Sequence, residues 1–389
     1  MLDMKKMFLS LLVGVSVSAL AQEDLINSLK NNRSLINGFV FTPVKVNDAT
    51  SVKNQGKSGT CWSYSGNSFL ESEMLRKGRP AVDLAEIYTA RNTYIDKAKN
   101  YVRMQGNVNW GDGGELHDVI NAYKKYGALP QEAYEGLKNG EKINNFSEMQ
   151  AGLKGYLDGI IESKKLSKNW LEGVTAILDA YLGKVPETFT YKGKSYTPKT
   201  FAQEVVALDP NDYIEMVSLN DEPKFEYVFF PVPDNWSFDY AYNIPMDDIT
   251  KVIDYAIEKG YTVGWATDVT EKYFSWANGV AYVPEKRYED MSERERQSLF
   301  STPPTKEREI TPEMRQEAFD NYETTDDHGM HIVGLAKDQN GKEYYIVKNS
   351  WGMSNDYQGY LYVSKNYVKY KTTALLVNKA GVPKSILKK

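Results

Sequence analysis

One cysteine and three histidines in 389 residues leave this chain few ways to do chemistry. Cys61 alone cannot form an internal disulfide, and no cysteine pair is available to help hold a zinc ion. Net charge is also small, −5 from 47 basic and 52 acidic residues, which gives no sign of a nucleic-acid partner. The Lys-rich stretches 97–103 and 384–389 read as solvated faces. There is no internal repeat and no long low-complexity tract. Long apolar runs are scarce too: only Met7 to Leu20 stands out, preceded by Lys5 and Lys6 and closed by Ala19-Leu20-Ala21. That core falls short of the about 20 apolar residues a membrane span needs. It reads as a secretory leader, residues 1–21, cleaved after Ala21, which predicts export to a bacterial periplasm or beyond and no stable membrane anchor. A free thiol kept in an oxidising compartment argues for reactivity and predicts sensitivity to oxidation.

What is present centres on that thiol. Cys61 sits in the run Asn54-Gln55-Gly56-Lys57-Ser58-Gly59-Thr60-Cys61-Trp62-Ser63, followed by a helix-compatible stretch through Phe69, Leu70 and Leu75 that stops near Gly78. The thiolate is the reactive form of cysteine, and a helix N-terminus or a protonated histidine lowers its pKa. Gly56 and Gly59 would allow the backbone to approach the helix start closely. Free cysteine is also among the most buried residue types, so a structural role stays open on this run alone.

The segment Thr325-Asp326-Asp327-His328-Gly329-Met330-His331-Ile332-Val333-Gly334 leads through a β-rich stretch into Tyr344-Tyr345-Ile346-Val347-Lys348-Asn349-Ser350-Trp351-Gly352. Cysteine, histidine and asparagine in this order, with Asn-Gln-Gly-x-x-Gly-x-Cys-Trp and Asn-Ser-Trp-Gly both matched, resemble the papain-like cysteine peptidases. The resemblance implies Cys61 as nucleophile, a histidine as its partner and general acid, and Asn349 as the group that orients the imidazole. It implies an oxyanion hole from the Gln55 amide and the Cys61 N–H, and a Trp351 ring that shields the His–Asn hydrogen bond from water. Of two histidines three apart, the family pattern fits His328, because Gly329, Met330 and Gly334 follow it at the expected offsets. On a strand, residues 328 and 331 face opposite sides, so His331 reads as structural and a metal site built from the pair is disfavoured. His117, in a helical-looking run, has no role on these grounds. No metal and no cofactor is expected.

Within that group the Ser58-Gly59-x-Cys61-Trp62 run resembles bleomycin hydrolases and bacterial aminopeptidase C. Asp112-Gly113-Gly114, Tyr126-Gly127-Ala128-Leu129-Pro130, Thr197-Pro198-Lys199-Thr200-Phe201 and the span Ile244 to Val269 extend the likeness over about 45–387. Gly113 and Gly114 would line the cleft as bare backbone able to pair with a substrate strand, and Trp62 and Trp351 are expected at the substrate. The resemblance implies peptide substrates, an aminopeptidase activity and a homo-oligomer, a hexamer in relatives. It also implies a C-terminal arm whose carboxylate meets the substrate amine. Here Val382-Pro383-Lys384-Ser385-Ile386-Leu387 resembles the start of that arm, with only Lys388 and Lys389 after it. A shortened arm would permit internal cleavage, unless Lys389 still reaches the cleft or another loop does the blocking.

The expected architecture is α+β: a papain-like two-lobed fold with a helical lobe, a β-barrel-like lobe and a helical insertion. An N-terminal arm covers 22–47, the helical lobe with Cys61 covers 48–135, and the insertion covers 136–245. Within the insertion Met149 to Leu153 and then Trp170, Val174, Ile177, Leu178 and Tyr181 fall at helical spacing and read as core. The β-rich lobe, 246–389, is expected to hold a helix near 247–259, strands near 262–268, 328–338, 342–349 and 359–363, and an exposed connection over about 283–325. Three functions stand at this point: an exported thiol aminopeptidase, an endopeptidase on the same scaffold, and a catalytically silent peptide-binding protein.

Overall fold

Fourteen of the sixteen residues of the helix Cys61–Arg76 are buried, which makes it the axis on which the two halves of the molecule pack. Most of its polar side chains survive burial by finding a partner, Ser72 Oγ being the exception among the described residues. Ser63 Oγ donates to the Glu86 carbonyl at 2.7 Å, Asn67 Nδ2 to the Ser63 carbonyl at 2.8 Å, and Ser65 Oγ to the Cys61 carbonyl at 2.8 Å. Gly66 lets the helix Leu116–Tyr126 come close: a Cβ there would lie 2.4 Å from Val119 Cγ2. The computed structural model describes residues 38–301, 303–304 and 306–387. The expected leader 1–21, most of the expected arm 22–47 and the terminal pair Lys388 and Lys389 lie outside the described residues.

On one side of this axis lie the helices Glu86–Arg103 and Leu116–Tyr126, then Ser147–Glu162 and Trp170–Leu182. Met149, Leu153, Leu157, Val174, Leu178 and Leu182 share one core with Trp62 and Phe69, so the apolar stripe of the insertion is indeed packed inward. The span 136–245 is helical only in its first half, however. Phe189–Tyr191 and Lys194–Tyr196 form a hairpin, and Tyr213–Val217, Tyr227–Phe229 and Tyr240–Asn243 join the main sheet. Their tyrosine, phenylalanine and β-branched residues favour strands, which outweighs the helical pattern upstream.

On the other side an 11-stranded mixed sheet is built around the strand His328–Asp338. It pairs antiparallel with Val263–Thr267, with Glu343–Lys348 and, along its far half, with the N-terminal strand Phe41–Val46. Tyr360–Ser364 continues the sheet beyond Glu343–Lys348. Met330 and Ile332 face the second core, with Ile249, Ile253 and Ile257 of the helix Met246–Glu258, whereas Gly329 and His331 face the cysteine helix. The 283–325 connection is not simply exposed. Met291, Leu299 and Phe300 are buried against Phe39, Tyr282 and Tyr344, and the helix Pro312–Asp320 sends the buried Arg315 guanidinium to the carbonyls of Ser218 and Lys369. Few apolar residues suffice to dock this segment because aromatic partners await them, a contact invisible to local patterning. No helix among the described residues is long and apolar enough to cross a membrane.

Gly66→Ala is expected to destabilise the protein by about 1–3 kcal/mol, because the rigid Val119 side chain has to give way. A urea melt against wild type measures the change.

Candidate active site

The loop that delivers Cys61 is held from several directions. Gly59 N donates to Asp112 Oδ2 at 2.9 Å, and Trp62 Nε1 donates to the Asp112 carbonyl at 3.0 Å. Gly56 has φ 64°, and a Cβ there would lie 2.6 Å from the Asn144 carbonyl oxygen, so the loop can pass only as glycine. Cys61 then opens its helix, nearly buried, and lines a cavity of about 480 Å³ together with His328 and Gly329. The backbone N–H groups of Gly329 and Trp62 lie near enough to its sulfur to favour the charged form.

His328 Nε2 lies 2.7 Å from Asn349 Oδ1, and the same oxygen accepts the Ser350 N–H at 2.7 Å. An atom that receives a backbone N–H must be the amide oxygen, so Nε2 is the nitrogen that carries the proton. In the neutral ring Nδ1 is then the base; it is buried and makes no hydrogen bond among the described residues. Trp351 lies over the imidazole with ring centroids 4.5 Å apart, backed by Trp276 and Phe274.

Gln55 ties the cysteine loop to the asparagine loop. Its N–H donates to the Ser350 carbonyl at 2.8 Å, and its Oε1 accepts from Ser350 Oγ at 2.7 Å. Its Nε2 donates to the Ser58 carbonyl at 2.7 Å, which uses one of the two amide hydrogens.

Burial opposes each charge of a thiolate–imidazolium pair taken singly. It pushes the Cys61 thiol up to about 12, helped by the negative charges of Asp234 and Asp326 and resisted by the N–H donors. Burial likewise pulls His328 down to about 4, with the Asn349 bond partly offsetting it. Mutual attraction, about 4 kcal/mol for unit charges 4 Å apart at an effective dielectric constant of about 20, works the other way together with the helix N-terminus. Neither charge is thus favoured alone, and the thiolate–imidazolium pair depends on that attraction and on the helix N-terminus.

Of the residues expected at the substrate, Gly113, Gly114 and Trp62 line the cavity. Trp351 does not; it packs behind the His–Asn pair, in a shielding position rather than on the wall. His331 is held elsewhere, its Nδ1 2.9 Å from Ser68 Oγ, and burial keeps it well below the usual imidazole range. Sequence reasoning missed four carboxylates on the cavity wall: Glu115, Asp234, Asp326 and Asp327. Three of them adjoin motifs already recognised, Glu115 after Gly114 and the aspartates before His328; Asp234 arrives from a distant loop and carries no such signal. A separate cluster of Glu71, Asp83 and Glu86 already has its cation, since Lys53 Nζ bonds Asp83 and lies 3.7 Å from Glu86 Oε1.

A thiol and an imidazole on one cavity, carried by a two-lobed α+β frame, is the arrangement of the papain-like class. Residues 84–389 match the model of the Peptidase C1-like family, and the chain belongs to that family. It is 22% identical to bleomycin hydrolase of Mus musculus over 404 residues, which covers 90% of this chain and 84% of the mouse protein. It is 21% identical to aminopeptidase C of Streptococcus thermophilus over 421 residues, covering 94% of this chain and 88% of that one. The crystal structure of PepW from Lactobacillus rhamnosis HN001 aligns with a TM-score of 0.70 at 18% identity, covering 94% of this chain and 90% of that chain. The protein is thus a cysteine peptidase with the papain-like fold.

His117, which no motif singled out, lies 2.5 Å from Glu215 Oε2 and 3.2 Å from Ser237 Oγ. Although burial opposes its charge, Glu215 and Asp118 raise it to about 10. A raised folded-state pKa gives stability that is complete below the unfolded value, about 6.5, and is lost as pH rises through about 10. Melting temperature should therefore fall between pH 7 and pH 10 in the wild type, and fall less in His117→Gln; thermal melts in matched buffers check this.

Proposed function

We propose that this protein hydrolyses peptide bonds with Cys61, His328 and Asn349, and that it releases residues from free amino termini. One observation carries the reading: the Nε2–H bond to Asn349 Oδ1 leaves His328 Nδ1 as an unpartnered base on the same cavity as the only thiol. Nδ1 takes the thiol proton as Sγ attacks the scissile carbonyl carbon, and the C–N bond breaks as the imidazolium returns that proton to the leaving amine. Water then attacks the thioester, with Nδ1 accepting its proton, and the acid product leaves as the thiol re-forms. The developing oxyanion meets the Cys61 N–H and the second Nε2 hydrogen of Gln55, whose orientation the Ser350 hydroxyl maintains. Relatives named aminopeptidase C and aminopeptidase G support the exopeptidase part of the reading. The leader-like run from Met7 to Leu20 supports an exported enzyme, for which the amino-terminal sequence of secreted protein, expected to begin at Gln22, is the check.

The test is one peptide in two forms, free and N-acetylated, incubated under reducing conditions with wild type and with Cys61→Ala, the products being read by mass spectrometry. Stepwise loss of residues from the free form alone is the expected result, with none in Cys61→Ala. Internal cuts in both forms would make the enzyme an endopeptidase, and turnover no greater than that of Cys61→Ala would leave a peptide-binding protein. Gln55→Ala should lower kcat by about 10²–10³-fold, the loss expected when one oxyanion donor is removed.

A further inference from the structure

His331 is a second buried imidazole, on the same strand as His328, with no part in the hydrolysis itself. It faces the cysteine helix rather than the apolar core, and there its Nδ1 lies 2.9 Å from Ser68 Oγ. Ser68 follows Cys61 by two helical turns, so Cys61, Ser65 and Ser68 form one stripe toward the strand. Lys348, directly across the ladder from His331, donates from Nζ to the same Ser68 oxygen at 2.8 Å. Lys348 is also the residue before Asn349. One buried hydroxyl therefore joins the helix that carries Cys61, the strand that carries His328 and the strand that leads into Asn349.

The direction of these bonds follows from the donor inventory. An ammonium only donates, so Ser68 Oγ accepts from Lys348 and keeps its own hydrogen to give. Among the described residues the remaining partner of Ser68 Oγ is His331 Nδ1. Burial and the Lys348 charge hold His331 well below the usual imidazole range, as suits a neutral ring that accepts at Nδ1. Its Nε2 has no hydrogen-bond partner among the described residues, and the ring stands edge to face with Phe69, centroids 6.3 Å apart. The ammonium is anchored in turn. Nζ donates to Thr50 Oγ1 at 3.1 Å, Thr50 Oγ1 donates to Glu71 Oε2, and Glu71 Oε1 accepts the Leu84 N–H at 2.7 Å.

Packing alone does not fix the spacing at this point. Ser65, Ser68, Gly329, His331, Lys348 and Asn349 border a cavity of about 10 Å³, about the size of one water molecule. At Gly329 helix and strand are in direct contact, since a Cβ there would lie 2.8 Å from Ser65 Oγ. At His331, the next residue on that face, hydrogen bonds take over. Apolar side chains beside such a gap could slide, whereas a hydrogen bond holds its partners between about 2.7 and 3.2 Å. We propose that Ser68, His331 and Lys348 are positioning residues for catalysis: their shared hydrogen bonds set the separation of Cys61 from His328 and keep Asn349 at the imidazole. None of the three lines the cavity that holds Cys61, so they act through the residues they hold.

The proposal rests on the peptidase reading, and a measurement that needs no turnover separates the two. In the full-length protein Ser68→Ala and His331→Leu each remove the bond without changing a charge, whereas His331→Asn keeps an acceptor, Oδ1, on the same Cγ that bears Nδ1. The rate of Cys61 alkylation by iodoacetamide over a pH series reads thiolate formation. Its midpoint should move up in Ser68→Ala and His331→Leu, by about 0.6 pH unit for each ångström added to a charge pair about 4 Å apart at an effective dielectric constant of about 20. His331→Asn should return it toward the wild-type value. With a tripeptide substrate, kcat should fall about 10- to 100-fold in Ser68→Ala and His331→Leu at unchanged KM, and His331→Asn should recover most of the loss. The double variant Ser68→Ala/His331→Leu should lose no more than either single one, as for two residues sharing one bond. A purely structural role would lower Tm without moving the alkylation midpoint and would leave His331→Asn no better than His331→Leu. That result overturns the proposal, as does a wild-type kcat and midpoint in both variants. Should His331→Leu fail to fold, Ser68→Ala, the smaller change, decides by the same midpoint and kcat. If the midpoint shifts as stated but wild type cleaves no peptide, the peptidase reading fails and the positioning role stands.

Discussion

Two hydrogen bonds between Gln55 and Ser350, residues 295 positions apart, set the register of everything around the thiol. The Gln55 N–H and the Ser350 carbonyl close the backbone, and the Ser350 hydroxyl fixes the Gln55 side chain. The Gly352 N–H to Lys53 carbonyl bond extends the same seam by one step. Cys61 follows Gln55 by six residues on a helix, whereas Asn349 and Trp351 flank Ser350 on the sheet side. A displacement of this seam would move nucleophile and base relative to one another, and an error of about 1 Å in such a geometry can cost about a hundredfold in rate. Gln55 and Ser350 are buried, and the bonds between them join backbone groups and polar side chains held at both ends.

The site is organised around two opposed demands. A thiol must become an anion, yet the wall of its cavity is acidic. Burial raises the Cys61 thiol and lowers the His328 imidazole, and Asp234 and Asp326 add to the first effect, so the charged pair draws on the mutual attraction of its members and on the helix N-terminus.

Much of the site could be read before the fold was known. Cys61, His328 and Asn349 lie in short segments whose local chemistry is self-explanatory, and the helix Met246–Glu258 and the strands that carry His328 and Asn349 declare themselves through apolar periodicity and alternation. What escaped was whatever depends on distant segments meeting. Asp234 looks like an ordinary loop residue until the fold lays it on Gly113, 121 positions earlier in the chain. Met291 and Phe300 sit among charged, turn-rich neighbours and gain meaning only beside Tyr282 and Tyr344. Trp351 was legible as a neighbour of the asparagine, but its burial behind the imidazole follows from the packing of Trp276 and Phe274 against it.

The solitary thiol has a consequence for the lifetime of the molecule. When an oxidant converts Cys61 to a sulfenic acid, no second cysteine exists in the chain to condense with it as a disulfide. The lesion can be reversed only by a thiol from outside that enters the same narrow, acid-walled cavity; otherwise it advances to the sulfinic and sulfonic acids, which are not recovered. Glutathione, itself anionic, would meet repulsion there, whereas small neutral or cationic thiols would not. Repair of the nucleophile thus depends on chemistry that the chain's own side chains do not supply.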